Sequence, residues 1–82
     1  MIYGLYVMKD EKVGFMQVQQ DLNDYTAERN FKYALSQKNT LYDYASSDFS
    51  LWKVGTFDSV TGETVLEPQL KLLCRGGDFV EV

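Results

Sequence analysis

The sequence predicts an α+β domain: a small antiparallel sheet of four to five strands with one helix packed on one face, in the order ββαβββ. Three observations carry this. Two apolar runs, residues 2–8 and 13–20, are separated only by the charged stretch Lys9-Asp10-Glu11-Lys12. A single helix-periodic segment follows. Then comes the aromatic-rich run DFSLWKVGTFDSVTGE, residues 48–63, which closes in Thr61-Gly62 and leads into further strand-like sequence.

The first run, IYGLYVM, holds aromatic and branched side chains suited to a pleated, partly buried surface, and reads as a strand. VGFMQVQQ reads as its hairpin partner, with Gly14, Met16 and Val18 alternating against Val13, Phe15 and Gln17. Asp21-Leu22-Asn23-Asp24 gives a helix start, because Asn23 can accept from the free N–H groups of a first turn and Asp24 and Glu28 suit the positive end of the dipole. Ala27, Phe31, Ala34 and Leu35 then fall on one helical face, while Glu28, Arg29, Lys32 and Gln37 point elsewhere. The helix is expected from about Asp24 to Gln37, ending near Lys38-Asn39.

Residues 40–47, TLYDYASS, have no sustained period and read as a loop carrying Tyr42 and Tyr44. A third strand is expected from Phe49 to Phe57, with Trp52 and Val54 on one side and Phe49, Leu51 and Phe57 on the other. Both sides are apolar, as in a central strand. DSVTGE reads as a turn in which Gly62 takes positive φ. A fourth strand is expected at Thr64–Leu66 or, beyond Pro68, at Gln69–Arg75; proline cannot donate to a ladder, so Pro68 marks an edge or a break. Gly76-Gly77-Asp78 reads as a turn or bulge, with FVEV as a short last strand. The chain is one domain, residues 1–82, and one sheet face lacks a helix; function or dimerisation belongs there.

Composition narrows the chemistry. Apolar residues make up 45% of the chain, too many for a disordered segment. The formal charge of -4 repels polyanions at long range, so nucleic-acid binding requires a local basic patch. With no histidine and one cysteine, the usual zinc ligand sets and any internal disulfide are missing. No signal peptide or membrane span is legible, and the chain reads as cytosolic, beginning at Met1, without a membrane partner. Cys74, among leucines, has no imidazole to activate it. RGGD, residues 75–78, lacks the lysine and Ser/Thr of a phosphate loop. Asp10-Glu11, Asp21 with Asp24, and Asp43 with Asp48 fall where capping and turns require acids, so the sequence predicts no enzyme and no cofactor.

One arrangement carries functional potential. Tyr3 and Tyr6 on the first strand, Trp52 and Phe57 on the third, and Lys53, Lys71 and Arg75 nearby interleave rings with cations. Exposed rings stack on unpaired bases and neighbouring cations contact phosphates, although in a domain this small core filling competes for every ring.

The motifs Tyr3-x-x-Tyr6-x-x-Lys9-Asp10, Ala27-x-Arg29-x-Phe31, and Asp48-Phe49-x-Leu51-Trp52-x-Val54-Gly55-x-Phe57-Asp58 followed by Thr61-Gly62 resemble the small nonstructural protein of gokushoviruses, microviruses with circular single-stranded DNA genomes. The likeness covers about residues 3–62. The chain departs from it in having tryptophan at 52, where phenylalanine is commoner, and no histidine before Asp48, so no histidine-dependent role carries over. The resemblance implies a noncatalytic single-stranded-DNA-binding factor, or a switch from replication to packaging, in the host cytoplasm. Tyr3, Tyr6, Trp52 and Phe57 are then expected to stack, and Arg29, Lys53, Lys71 and Arg75 to contact phosphates. The expected partners are single-stranded DNA, a second copy in a homodimer or larger oligomer, and viral replication or capsid proteins. The alternative is an assembly adaptor that binds itself or a viral protein without touching DNA.

Overall fold

The computed structural model describes residues 1–37 and 45–79. Its strands β1 (Ile2–Asp10), β2 (Gly14–Asp21), β3 (Phe49–Asp58) and β4 (Thr64–Arg75) and the helix α1 (Asp24–Leu35) follow the order ββαββ. The strands form one antiparallel sheet in the spatial order β2-β1-β3-β4. The predicted α+β class holds, and β3 is interior, as its two apolar sides require. Of the two readings of Pro68, an edge or a break, the structure shows the edge: β4 lies at the side of the sheet and runs through the proline, which falls in an irregular stretch where no ladder donor is needed. Gly76-Gly77-Asp78 is the turn the sequence suggests, a 3₁₀ turn that takes in Phe79, the one residue of FVEV among those described, which is therefore not in a strand. The expected helix end at Lys38-Asn39, the loop tyrosines Tyr42 and Tyr44, Asp43 and the tail beyond Phe79 lie outside the described residues.

The helix begins where its cap chemistry places it. The Asn23 side chain accepts from the Thr26 N–H at 2.9 Å and the Thr26 hydroxyl oxygen accepts from the Asn23 N–H at 3.1 Å, a reciprocal capping box. Asp21, the last residue of β2, accepts from the Thr26 hydroxyl at 2.7 Å and from the Asn30 amide at 2.8 Å, which fixes the angle at which the helix leaves the sheet. Ala27, Phe31 and Leu35 then bury against Tyr6, Phe49, Leu51 and Cys74 to form the core. Leu35 also packs beside Gly76, where the backbone approaches the Ser46 carbonyl too closely to admit a Cβ. The 3₁₀ turns Ser46–Asp48 and Gly76–Phe79 therefore close the end of the core at the helix C-terminus.

Bulges set which side chains face where. Tyr6 pairs with Lys53 and Leu5 with Gly55, so Val54 is an extra residue on β3. The alternation inverts there, and Phe57, opposite Tyr3, lies on the side of Trp52, not on that of Phe49 and Leu51 as strict alternation predicts. Val7 pairs with Val18 and Lys9 with Phe15, so β2 carries its own extra residue at Met16–Gln17. Phe15 and Val18 consequently share the helix-free face, again against strict alternation.

Candidate nucleic-acid interface

The helix-free face follows from this register. Along β1 it presents Tyr3, Leu5, Val7 and Lys9; β3 adds Trp52 opposite Val7 and Phe57 opposite Tyr3; β2 adds Phe15 and Val18. On β4, Leu72 lies opposite Trp52 and Arg75 opposite Ser50. Val7 is only 4% exposed although it is not part of the helix-side core, so the rings around it form a second, shallow apolar layer.

The centre of that layer is well defined. The rings of Phe15 and Trp52 meet edge to face, centroids 6.0 Å apart at 76°. The Lys9 ammonium sits 5.3 Å from the centroid of the Phe15 ring. The Trp52 indole N–H donates to the Ser50 hydroxyl at 2.8 Å, which fixes the indole plane. Phe15 remains 47% exposed and Trp52 is half-buried, so both offer ring surface to solvent. Beside Trp52 a cleft of about 330 Å³ is lined by Ser50, Arg75, Ser47, Phe49, Glu11 and Asp48, a mixed-charge rim with Arg75 as its cation. Tyr3 and Phe57 form a second aromatic platform roughly 13 Å along the strand from Val7 and Trp52, at about 3.3 Å per residue.

The helix side has a different chemistry. The Tyr6 hydroxyl donates to Asp24 Oδ1 at 2.6 Å, and Lys53 Nζ lies 3.1 Å from the same oxygen. The hydrogen bond from Tyr6, with that from Lys53 and its charge, outweighs desolvation and holds the Asp24 carboxyl below the usual range, so it is ionised at neutral pH. Burial, followed by the Asp24 hydrogen bond and charge, pushes Tyr6 well above an ordinary tyrosine, so the phenol keeps its proton as a donor. For Asp21, burial acts upward but is overcome by hydrogen bonds from Thr26, Leu22 and Asn30, and the net shift is downward. Burial pushes the Cys74 thiol from 9.0 to about 12, with Glu28 and Asp78 adding to it. That thiol is a small apolar filler at neutral pH.

The residues expected to form one binding surface are thus divided. Tyr3, Trp52, Phe57 and Arg75 share the open face. Tyr6 is 3% exposed and is a core residue, so its ring has no surface on which a base can stack. Lys53 and Lys71, opposite each other, lie on the helix side, and Lys53 is committed to Asp24. Arg29 is exposed on the helix, away from the open face. Lys9 and Phe15 belong to the open face but were not among the expected contacts. Lys9 lies just past the strand end the sequence suggests, and Phe15 is displaced by a bulge that has no glycine or proline to announce it.

Among the described residues, no three acidic or cysteine side chains converge as a metal-ligating group, and no helix is long and apolar enough to cross a membrane. Fold and surface define a small α+β protein whose one-sided sheet leaves an aromatic face open. Residues 3–79 match the model of the Phage ORF5 protein family, nearly the whole chain, and the protein belongs to that bacteriophage family. Neither a curated protein nor a solved structure matches it.

Proposed function

We propose that this phage protein is a noncatalytic single-stranded-DNA-binding factor of a gokushovirus, within the Microviridae, that acts in the host cytoplasm at the switch from replication to packaging. The observation that supports this reading best is the Phe15–Trp52 pair with Lys9 above it and Arg75 beside it, on a sheet face without a helix. Rings with exposed π-faces stack on bases regardless of sequence, and the flanking cations meet phosphates. Tyr3 and Phe57 extend the same track. Lys53, Lys71 and Arg29 contribute only to the general field.

The net charge of -4 sets the expected strength. With Lys9 and Arg75 as the two phosphate contacts, affinity falls with salt at a log-log slope of about -1.4, from about -0.7 per contact on single strands. An anisotropy titration of a labelled oligonucleotide at two salt concentrations measures it. Trp52→Ala should weaken binding by about 1–3 kcal/mol, the cost of one lost stacking platform. No binding in low salt would exclude this reading. It would favour the second one, an assembly adaptor that contacts a viral replication or capsid protein through the same apolar face, which the acidic total also suits.

A further inference from the structure

We propose that β2 is a homodimerisation edge, pairing antiparallel with β2 of a second copy so that two four-stranded sheets become one. The two edges of this sheet differ in how they are protected. β4 carries Glu67, Pro68, Lys71 and Arg75, and the step from Lys53 to Gly55 on β3 is matched by the much longer step from Leu66 to Lys71 on β4. Proline, charge and an irregular bulge are the devices that stop a strand from pairing with another chain. β2 has none of the first two: from Gly14 to Gln20 it contains neither charge nor proline. Its Phe15, Met16 and Val18 are 47%, 44% and 49% exposed, and every other backbone N–H and C=O along it points away from β1.

The bulge in β2 selects the register. Phe15 and Val18 face the open side, whereas Met16 and Gln17 both line the groove of about 420 Å³ between the sheet and α1, with Gln19 and Asp21. Residues opposite each other in an antiparallel pair point to the same face, so Phe15 must meet Val18 of a second copy and Met16 must meet Gln17 of a second copy. Neighbouring registers set an open-face side chain against a groove side chain. In the matched register the β1–β2 turn that carries Lys12, closed by the Val13 N–H to the Asp10 carbonyl, comes to the end of the second copy's β2, where Asp21 lies, at both ends of the pair. Asp21 is ionised, its carboxyl held low by the Thr26, Leu22 and Asn30 hydrogen bonds that overcome its burial, and among the described residues Lys12 has no ion-pair partner in its own chain. The pairing is isologous and closed, leaving only the protected β4 edges outward, so assembly stops at two.

The seam takes in Phe15 and Val18 at the rim of the open face, and its test reads mass and covalent linkage, not DNA, so it can fail or succeed whatever that face binds. Light scattering with size exclusion should give twice the chain mass for the natural protein and the single-chain mass for Val18→Lys, with unchanged circular dichroism because Val18 is an exposed edge residue. Phe15→Cys and Val18→Cys proteins, mixed and mildly oxidised with the buried Cys74 left in place, should give a disulfide-linked hetero-pair. Neither variant should link to itself, because like positions in this register are about 10 Å apart along the strand, beyond the reach of a disulfide. A monomeric natural protein, a dimer that Val18→Lys does not weaken, or linkage within a single variant would overturn the proposal. A chain found monomeric alone but bound through this edge to a different protein would overturn it as well.

Discussion

Asp24 Oδ1 is the atom on which the helix side of the sheet turns, since it accepts both the Tyr6 hydroxyl and the Lys53 ammonium. Tyr6→Phe removes a hydrogen bond to a charged acceptor that is still partly solvated, and should cost about 1–2 kcal/mol in urea unfolding. Lys53→Ala removes a partly exposed ion pair and should cost no more than about 1 kcal/mol. It should also leave oligonucleotide affinity nearly unchanged, whereas Lys9→Ala should lower it; parallel anisotropy titrations compare the two. The titratable groups fix both limbs of the pH profile. Asp24 and Asp21 are held below their unfolded values, so their contribution is present at neutral pH and is lost as pH falls through their folded values. Cys74 and Tyr6 are raised, so their contribution is intact below pH 9.0, the ordinary thiol value. It is lost as pH rises toward the folded thiol value of about 12. Thermal melts across pH should show a plateau between these limbs, and Tyr6→Phe should flatten the acid limb.

At the level of elements, the parts that local chemistry dictates were legible in the sequence. Asn23 as cap, the Ala27, Phe31 and Leu35 face, the turn at Gly62 with φ +79° and the interior position of β3 all follow from residue type and period. Asn23→Ala should cost about 1 kcal/mol, the usual price of a lost cap, measurable by denaturant unfolding. What strict alternation could not supply was the bulges. Val54 and the Met16–Gln17 pair are ordinary strand formers, and the choice to insert one residue against a neighbour is made by the partner strand, not by the residue. Each bulge moves an aromatic side chain: Phe57 to the open face and Phe15 beside Trp52. The candidate site was therefore half legible. Tyr3, Trp52, Phe57 and Arg75 belong together, while Tyr6 and Lys53 look equivalent to them in sequence and are separated only by facing α1.

On the scale of the whole molecule, one helix on a four-stranded sheet has a simple consequence. The helix side takes Tyr6, Phe31, Leu35, Phe49 and Leu51 into its core, and Tyr3, Phe15, Trp52 and Phe57 lie on the other face with Val7. With an extent of 44 × 20 × 17 Å the domain is elongated, and that face offers a track and not a pocket. A charge of -4 spread over such a body makes local placement of Lys9 and Arg75 the condition for any anionic ligand.

Trp52 is the sole tryptophan of the chain, so intrinsic fluorescence reports from the centre of the open face without a label. Titrating the protein with an unlabelled single-stranded oligonucleotide in low salt should quench Trp52 emission saturably, and added salt should reverse the quenching along with the loss of binding. Emission that stays unchanged in excess oligonucleotide, or that changes equally at all salt concentrations, would contradict stacking of DNA on this face.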